Sequence, residues 1–286
     1  MTGNKFFVCL LMIFAVFSAP SFAQSPTPQT GSRPTPTPIP VLEQQSAPAD
    51  DLEASTSSTH TTAHIQPPLR LPEPMVYDLV RPLNAQKGEL EINSLFLSPL
   101  SRSGQTTEWA PEIEYAFLDR YAVELEFPFE GQHLGAYKLA LQGTFKNESA
   151  QFVHGWQWIG LYNRHGRSKI FDGLYLAGYQ LNPSLSVFSM TGARFTRAQR
   201  QTRALGLFNP SVFYNAGMRL TLGLETNLVL GNRKERQQLF MPQTHVTLTR
   251  RYSFQFGAGA TRHGTAPLKP VIGFRLVVTL NGGSAH

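Results

Sequence analysis

Glutamates recur at alternate positions early in the chain, at Glu89 and Glu91, Glu112 and Glu114, and Glu124 and Glu126. Lys138 follows them, and Arg219, Glu225 and Arg275 come later. Residues two apart in a strand share a face, so each glutamate pair projects from one side of the sheet. An acidic wall opposite basic groups sets up a transverse field, which in a narrow pore selects polar or charged solutes. The same groups would equally serve as an interior salt-bridge network that stiffens a closed barrel. A second charge set is basic. Arg164, Arg167 and Lys169, then Arg197, Arg200 and Arg203, then Arg233, Lys234 and Arg236 fall between apolar runs, with Glu235 the one acid among them. Arg and Lys pair well with phosphate, so anionic lipopolysaccharide at a membrane rim fits these clusters. An ordinary solvated surface and attraction of anionic solutes to a mouth are the competing readings.

Catalytic chemistry finds little support. His245 lies between Thr244 and Thr247, and His154 lies near Trp156, but no Ser is suitably spaced and no acid orients either ring. No GxSxG, HExxH, P-loop or calcium-loop pattern occurs. The sequence therefore assigns no catalytic residue, no metal site and no cofactor.

The elements that would position these groups are strands. In Pro111–Phe129, Ile113, Tyr115 and Phe117 alternate with Glu112 and Glu114. After a tight turn at Leu118-Asp119-Arg120, Val123, Leu125 and Phe127 alternate with Glu124 and Glu126. This predicts an antiparallel hairpin. A soluble sandwich would bury the apolar face; a membrane barrel turns it to lipid and points the carboxylates into a wet lumen.

Alternating segments recur from Gly88 to Leu280 with no convincing helix. They predict an all-β fold, a transmembrane antiparallel up-and-down β-barrel of about twelve strands of ~10 residues. Short connections (Asp119-Arg120, Asn182-Pro183, Arg250-Arg251) alternate with longer, basic ones (164–169, 197–203, 232–237), as periplasmic turns alternate with outer loops. Aromatic residues gather near both strand ends, the pattern of two interfacial girdles.

The termini read differently. Lys5, the apolar run Phe6–Phe17 and Ser21-Phe22-Ala23 predict a signal peptide over 1–23. The single cysteine, Cys9, lies within it. Residues 24–69 are rich in Pro, Thr, Ser and Gln and predict a disordered periplasmic linker. Residues 70–87 form a bridge in which Glu73-Pro74 is suited to start a short helix; it would plug the barrel, lean on it or cover an edge. The barrel is expected over 88–281 and a tail over 282–286. The strand Val271–Leu280 resembles the C-terminal strand that marks outer-membrane proteins for insertion, which implies the barrel assembly machinery as a partner.

The hairpin PEIEYAFLDRYAVELEFPFE and the following AYKLALQGTF resemble an uncharacterised family of bacterial outer-membrane β-barrels described as transporter- or porin-like. The close match covers Glu108–Phe145. The resemblance implies an outer-membrane barrel for small solutes and transfers no catalytic residue. With the net charge of +6 gathered at the proposed outer loops, the expected partners are outer-membrane lipid, lipopolysaccharide and small solutes, not nucleic acid. The leading expectation is porin-like passage of small polar or charged solutes in the outer membrane of a Gram-negative-type cell, with the N-terminal tail in the periplasm. A closed structural or partner-anchoring barrel and a lipid-modifying barrel enzyme are the alternatives.

Overall fold

A computed structural model describes residues 69–77, 79–100, 107–146, 149–198 and 201–281. The expected signal peptide, almost all of the linker (24–68), the 282–286 tail and Arg200 lie outside the described residues. The strands are β1 (Leu90–Pro99), β2 (Glu108–Leu118), β3 (Tyr121–Glu126), β4 (Phe129–Glu130), β5 (His133–Leu134), β6 (Ala136–Thr144) and β7 (Phe152–Asn163). They continue with β8 (Lys169–Asn182), β9 (Leu185–Ala198), β10 (Gln201–Asn215), β11 (Leu220–Leu230), β12 (Gln237–Thr247), β13 (Tyr252–His263) and β14 (Lys269–Asn281). Each long strand pairs antiparallel with its neighbours, and β1 pairs with both β2 and β14. The sheet is thus a closed twelve-strand barrel, and closure leaves no open edge.

The two short pieces β4 and β5 continue the staves of β3 and β6. Pro128, which has no N–H to donate, separates β3 from β4, while its carbonyl accepts the N–H groups of Gly135 and Ala136. β4 and β5 pair with each other and extend the wall at the end remote from the β2–β3 turn.

The hairpin behaves as its alternation predicts. Ile113 and Tyr115 face outward, 48% and 41% exposed, while Glu112, Glu114, Glu124 and Glu126 are buried inside. Exposed aromatics ring both ends of the outer wall: Trp109, Tyr137, Tyr162, Phe171, Phe195 and Phe240 at one, Tyr121, Phe145, Tyr179, Tyr214 and Tyr252 at the other. The connections differ less than expected. The stretch 197–203 is not a long loop, because β9 and β10 run up to residues 198 and 201 and pair to their tips. Residues 145–151, on the turn side, form one of the longer connections.

The lumen departs from the expected wet, polar interior. Leu174, Leu176, Phe188, Met190, Leu207 and Phe213 point inward and are buried. They pack against Leu79, Val80, Leu83 and Ala85 of the segment preceding β1, so this part of the barrel has a packed apolar core. Burial of this kind contributes roughly 1.5–3 kcal/mol per large side chain. The segment is not a helix; among the described residues there is none. It is an irregular U-shaped insertion that fills the turn-side half of the lumen. Both of its limbs sit at the short-turn end. Asn84 donates its side-chain amide to the Leu69 carbonyl and its backbone N–H to Thr144. Arg120 in the β2–β3 turn donates its N–H to the Ala85 carbonyl.

The apex of the insertion, Met75–Tyr77, lies deeper. Met75 fits over a cross-strand glycine pair, Gly257 on β13 opposite Gly273 on β14. A Cβ at these positions would come within 2.7 and 2.5 Å of the Met75 methyl carbon, so any larger residue would push that methyl out of its seat.

Candidate functional site

An inserted segment inside a barrel carries backbone polar groups that need partners, and the lumen-facing side chains supply them. Glu225, fully buried on β11, accepts the N–H of Met75 (2.8 Å), Val76 (3.0 Å) and Tyr77 (2.8 Å). Three successive N–H groups converging on one carboxylate form an anion-binding nest. They replace the i to i−4 bonds of the helix that Pro74 could have started. The Asn227 side-chain amide donates to Glu225 Oε1 at 2.6 Å.

The Tyr77 hydroxyl donates to Asp172 Oδ2 at 2.6 Å, and Arg194 holds the same carboxylate with two bonds, 2.8 Å to Oδ1 and 2.6 Å to Oδ2. Burial, then the Asp172 charge, pushes the Tyr77 hydroxyl well above the usual phenol range. It is therefore a permanent donor. Farther down, Gln142 accepts the Val80 N–H at 3.1 Å and donates to the Arg81 carbonyl at 2.6 Å.

The glutamates meet cations directly. Arg81 reaches Glu89 (3.0 Å), Glu91 (2.5 Å) and Glu114 (3.5 Å). Arg70 pairs with Glu89, and Lys138 bridges Glu124 (2.9 Å) and Glu126. Burial works against the Glu89 carboxylate, but hydrogen bonds from Arg70 and Arg81 outweigh it and lower the pKa. Arg275 reaches across β1 to Glu112 (2.9 Å) and Glu114 (3.3 Å) on β2. The nearer Glu89 and Glu91 are taken by Arg81. The carboxylates of Glu112, Glu114 and Glu124 lie within 4.8 Å of one another, a spacing an oxygen-liganded cation could use. In this arrangement the Lys138 ammonium and the Arg275 guanidinium supply the positive charge.

Of the lumen residues expected from sequence, Glu112, Glu114, Glu124, Glu126, Lys138, Glu225 and Arg275 do point inward. Arg219 does not belong with them. The chain leaves the sheet after Asn215, and Arg219 is exposed in the turn before β11. Asp172, Arg194, Tyr77 and Arg81 were not anticipated. The basic residues Arg164, Arg167, Lys169, Arg197, Arg203, Arg233, Lys234 and Arg236 are all exposed at the loop end. Arg203 pairs with Glu235 at 2.9 Å, and Arg164 stacks over the Tyr137 ring. Neither histidine considered for catalysis has an acid partner among the described contacts. His154 bonds the Tyr175 hydroxyl on the outer wall at 2.9 Å, and His245 lies beside the Phe213 ring.

Above the apex, the loop-side half of the lumen holds a cavity of about 560 Å³. Val76 and Tyr77 of the insertion contribute to its lining, together with Arg194, Asn209, Asn227, Gln237 and Gln238 and an aliphatic wall that includes Leu97, Val229 and Leu239. Its size is that of a small-molecule site. It can hold a solute by amide hydrogen bonds and aliphatic contact.

Two solved barrels share this architecture. The KdgM porin, solved in complex with disordered oligogalacturonate, aligns with a TM-score of 0.55 at 9% identity over 67% of this chain and 99% of its own. The NanC porin aligns with a TM-score of 0.53 at 9% identity over the same shares. At this identity the likeness establishes the barrel fold. No curated protein matches the sequence. The HAEPLYID-like family model matches residues 69–261, from the first described residue of the insertion through nearly all of β13. The chain belongs to the HAEPLYID-like family.

Proposed function

We propose that this protein is a plugged, porin-like barrel of the outer membrane. Small polar solutes enter from the loop side and pass when the apex of the insertion yields. The observation that carries this reading is the placement of the cavity, whose inner end includes the segment apex, Val76 and Tyr77. The apolar outer wall with two aromatic rings fits a bilayer. The exposed basic residues at the loop end fit lipopolysaccharide phosphates, and the short-turn end would then face the periplasm. In this reading residues 1–23 are an export signal, 24–69 a periplasmic tether that leads into the insertion, and 282–286 a tail; the protein conducts passively and catalyses nothing.

Planar-bilayer conductance of the full chain tests this. The native protein should show rare, brief openings, and a variant lacking residues 72–84 a stable open level. The same silent trace from both proteins, each shown to be folded by heat-modifiable migration, would support a closed structural barrel instead.

A further inference from the structure

We infer that the loop-side cavity is a binding site for a neutral polyhydroxylated solute, held by the opposed amides of Asn209 and Asn227. The inference rests on the reading above that solutes enter from the loop side, but does not require conduction. Its origin is local. Pro210 sits inside β10 and cannot donate to the ladder. The β10–β11 pairing accordingly lapses between Phe208↔Leu228 and Ser211↔Glu225. Asn209 and Asn227 occupy opposite positions in that gap, on the inward face. The Asn209 oxygen accepts the Leu228 N–H at 3.3 Å, so its Oδ1 is fixed as the inward-turned acceptor of the strand and its Nδ2 is left as a donor. The Asn227 nitrogen donates to Glu225, so its Oδ1 is left as an acceptor. Chemistry, not assignment, sets both orientations, because an N–H needs an oxygen and a carboxylate needs an N–H.

Asn209 is 2% exposed. Its Nδ2 and the Asn227 Oδ1 are buried, both lack a hydrogen-bond partner, and they are not bonded to each other. Buried polar groups ordinarily find partners. A hydroxyl accepts and donates at once, so one hydroxyl can bridge this donor and this acceptor. Gln237, Gln238 and Thr261 offer further uncharged polar groups on the same wall. Arg194 is already neutralised by Asp172. Leu97, Val229 and Leu239 match the C–H faces of a sugar-like ring. Glu108 and Glu130 also line the cavity and are exposed, so an anionic solute is disfavoured, while the asparagine pair itself calls for a hydroxyl.

The test uses the full chain folded in detergent, with glucose as probe and glucuronate and glucosamine as its charged counterparts, read by saturation-transfer NMR titration. Glucose should bind more tightly than either charged analogue. Asn209→Asp keeps the acceptor for Leu228 and removes the donor, and should weaken glucose about tenfold. Asn227→Ala should weaken it by at least about fivefold. Unchanged glucose binding in folded Asn209→Asp protein overturns the proposal, as does a preference for a charged analogue or no glucose binding at all. Intact glucose binding in a protein whose insertion-deleted variant stays silent would overturn the passage reading and leave this one standing.

Discussion

Glu225 on β11 holds the main chain of Met75, its Oε2 accepting the Met75 N–H at 2.8 Å while the neighbouring N–H groups of Val76 and Tyr77 complete the cradle. One buried side chain thus fixes the innermost point of a segment that is otherwise irregular. Glu225→Ala should leave three N–H donors, one fully and two partly buried, without their carboxylate and destabilise the folded barrel by about 2–4 kcal/mol. Glu225→Gln, which keeps one acceptor oxygen, should cost less. Denaturant unfolding measures the loss, and bilayer recordings should show more frequent openings in Glu225→Ala. Native-like opening rates in that variant would mean that the apex is pinned elsewhere.

The glycine pair under Met75 gives a packing test. Gly273→Val forces a side chain into the space of the Met75 methyl and should cost about 1–3 kcal/mol as an overpacked site. Met75→Ala should relieve part of that cost. A double-mutant cycle should return a coupling of at least about 0.5 kcal/mol; strict additivity would place Met75 away from Gly273.

Lys138 lies half-buried between the buried carboxylates of Glu124 and Glu126. Lys138→Met should destabilise by about 3–5 kcal/mol, because the carboxylates lose their compensating charge. The double change Lys138→Met with Glu124→Gln should recover a large share. Such recovery identifies these charges as structural. If Lys138→Met folds normally and alters ion selectivity alone, they belong to a conduction path.

The insertion should also respond to acid. Hydrogen bonds from Arg70 and Arg81 outweigh burial and lower the Glu89 pKa. A group whose folded pKa is depressed adds stability that is fully present above its unfolded value, ~4.3 for Glu, and lost as pH falls through the folded value. Amide protection at Gly88 and Ala116, whose N–H groups bond across this junction, taken relative to the intrinsic exchange rate at each pH, should hold at neutral pH and fall below about pH 4. Arg81→Gln should start that fall at higher pH. Protection that is flat down to pH 3 in both proteins would show that Glu89 contributes nothing to docking.

Where one face of a strand was apolar and the other charged, its orientation was legible from sequence. Ile113 beside Glu112 is such a case, and so is Leu125 beside Glu124. Asp172 was hidden because both faces of β8 are apolar: Leu174 and Leu176 turn inward while Phe171 and Tyr175 turn outward. Period-2 contrast vanishes there. A usable signal remained, since a lone charge within a membrane strand is costly on the lipid side and must point inward. That rule alone would have paired Asp172 with Arg194, which stands opposite it in the register. Tyr77 and Arg81 had no periodicity to read. Their position depends on the lumen that forms around them, and a Pro-containing run of mixed polarity looks the same whether it crosses solvent or fills a barrel.

Both limbs of the insertion meet the barrel at the same end, and only the second is continuous with the sheet. Mechanically the insertion is therefore a strip fixed at one edge. Force applied to the chain ahead of Leu69 would load its attachments in series, not together: the Asn84–Leu69 bond and the Arg70–Glu89 pair first, then the Glu225 cradle, and the bonds of Val80 and Arg81 last. Peeling of this kind needs far less tension than shearing the whole segment free, and a single-molecule pull from that side should register as successive small steps that leave the barrel intact.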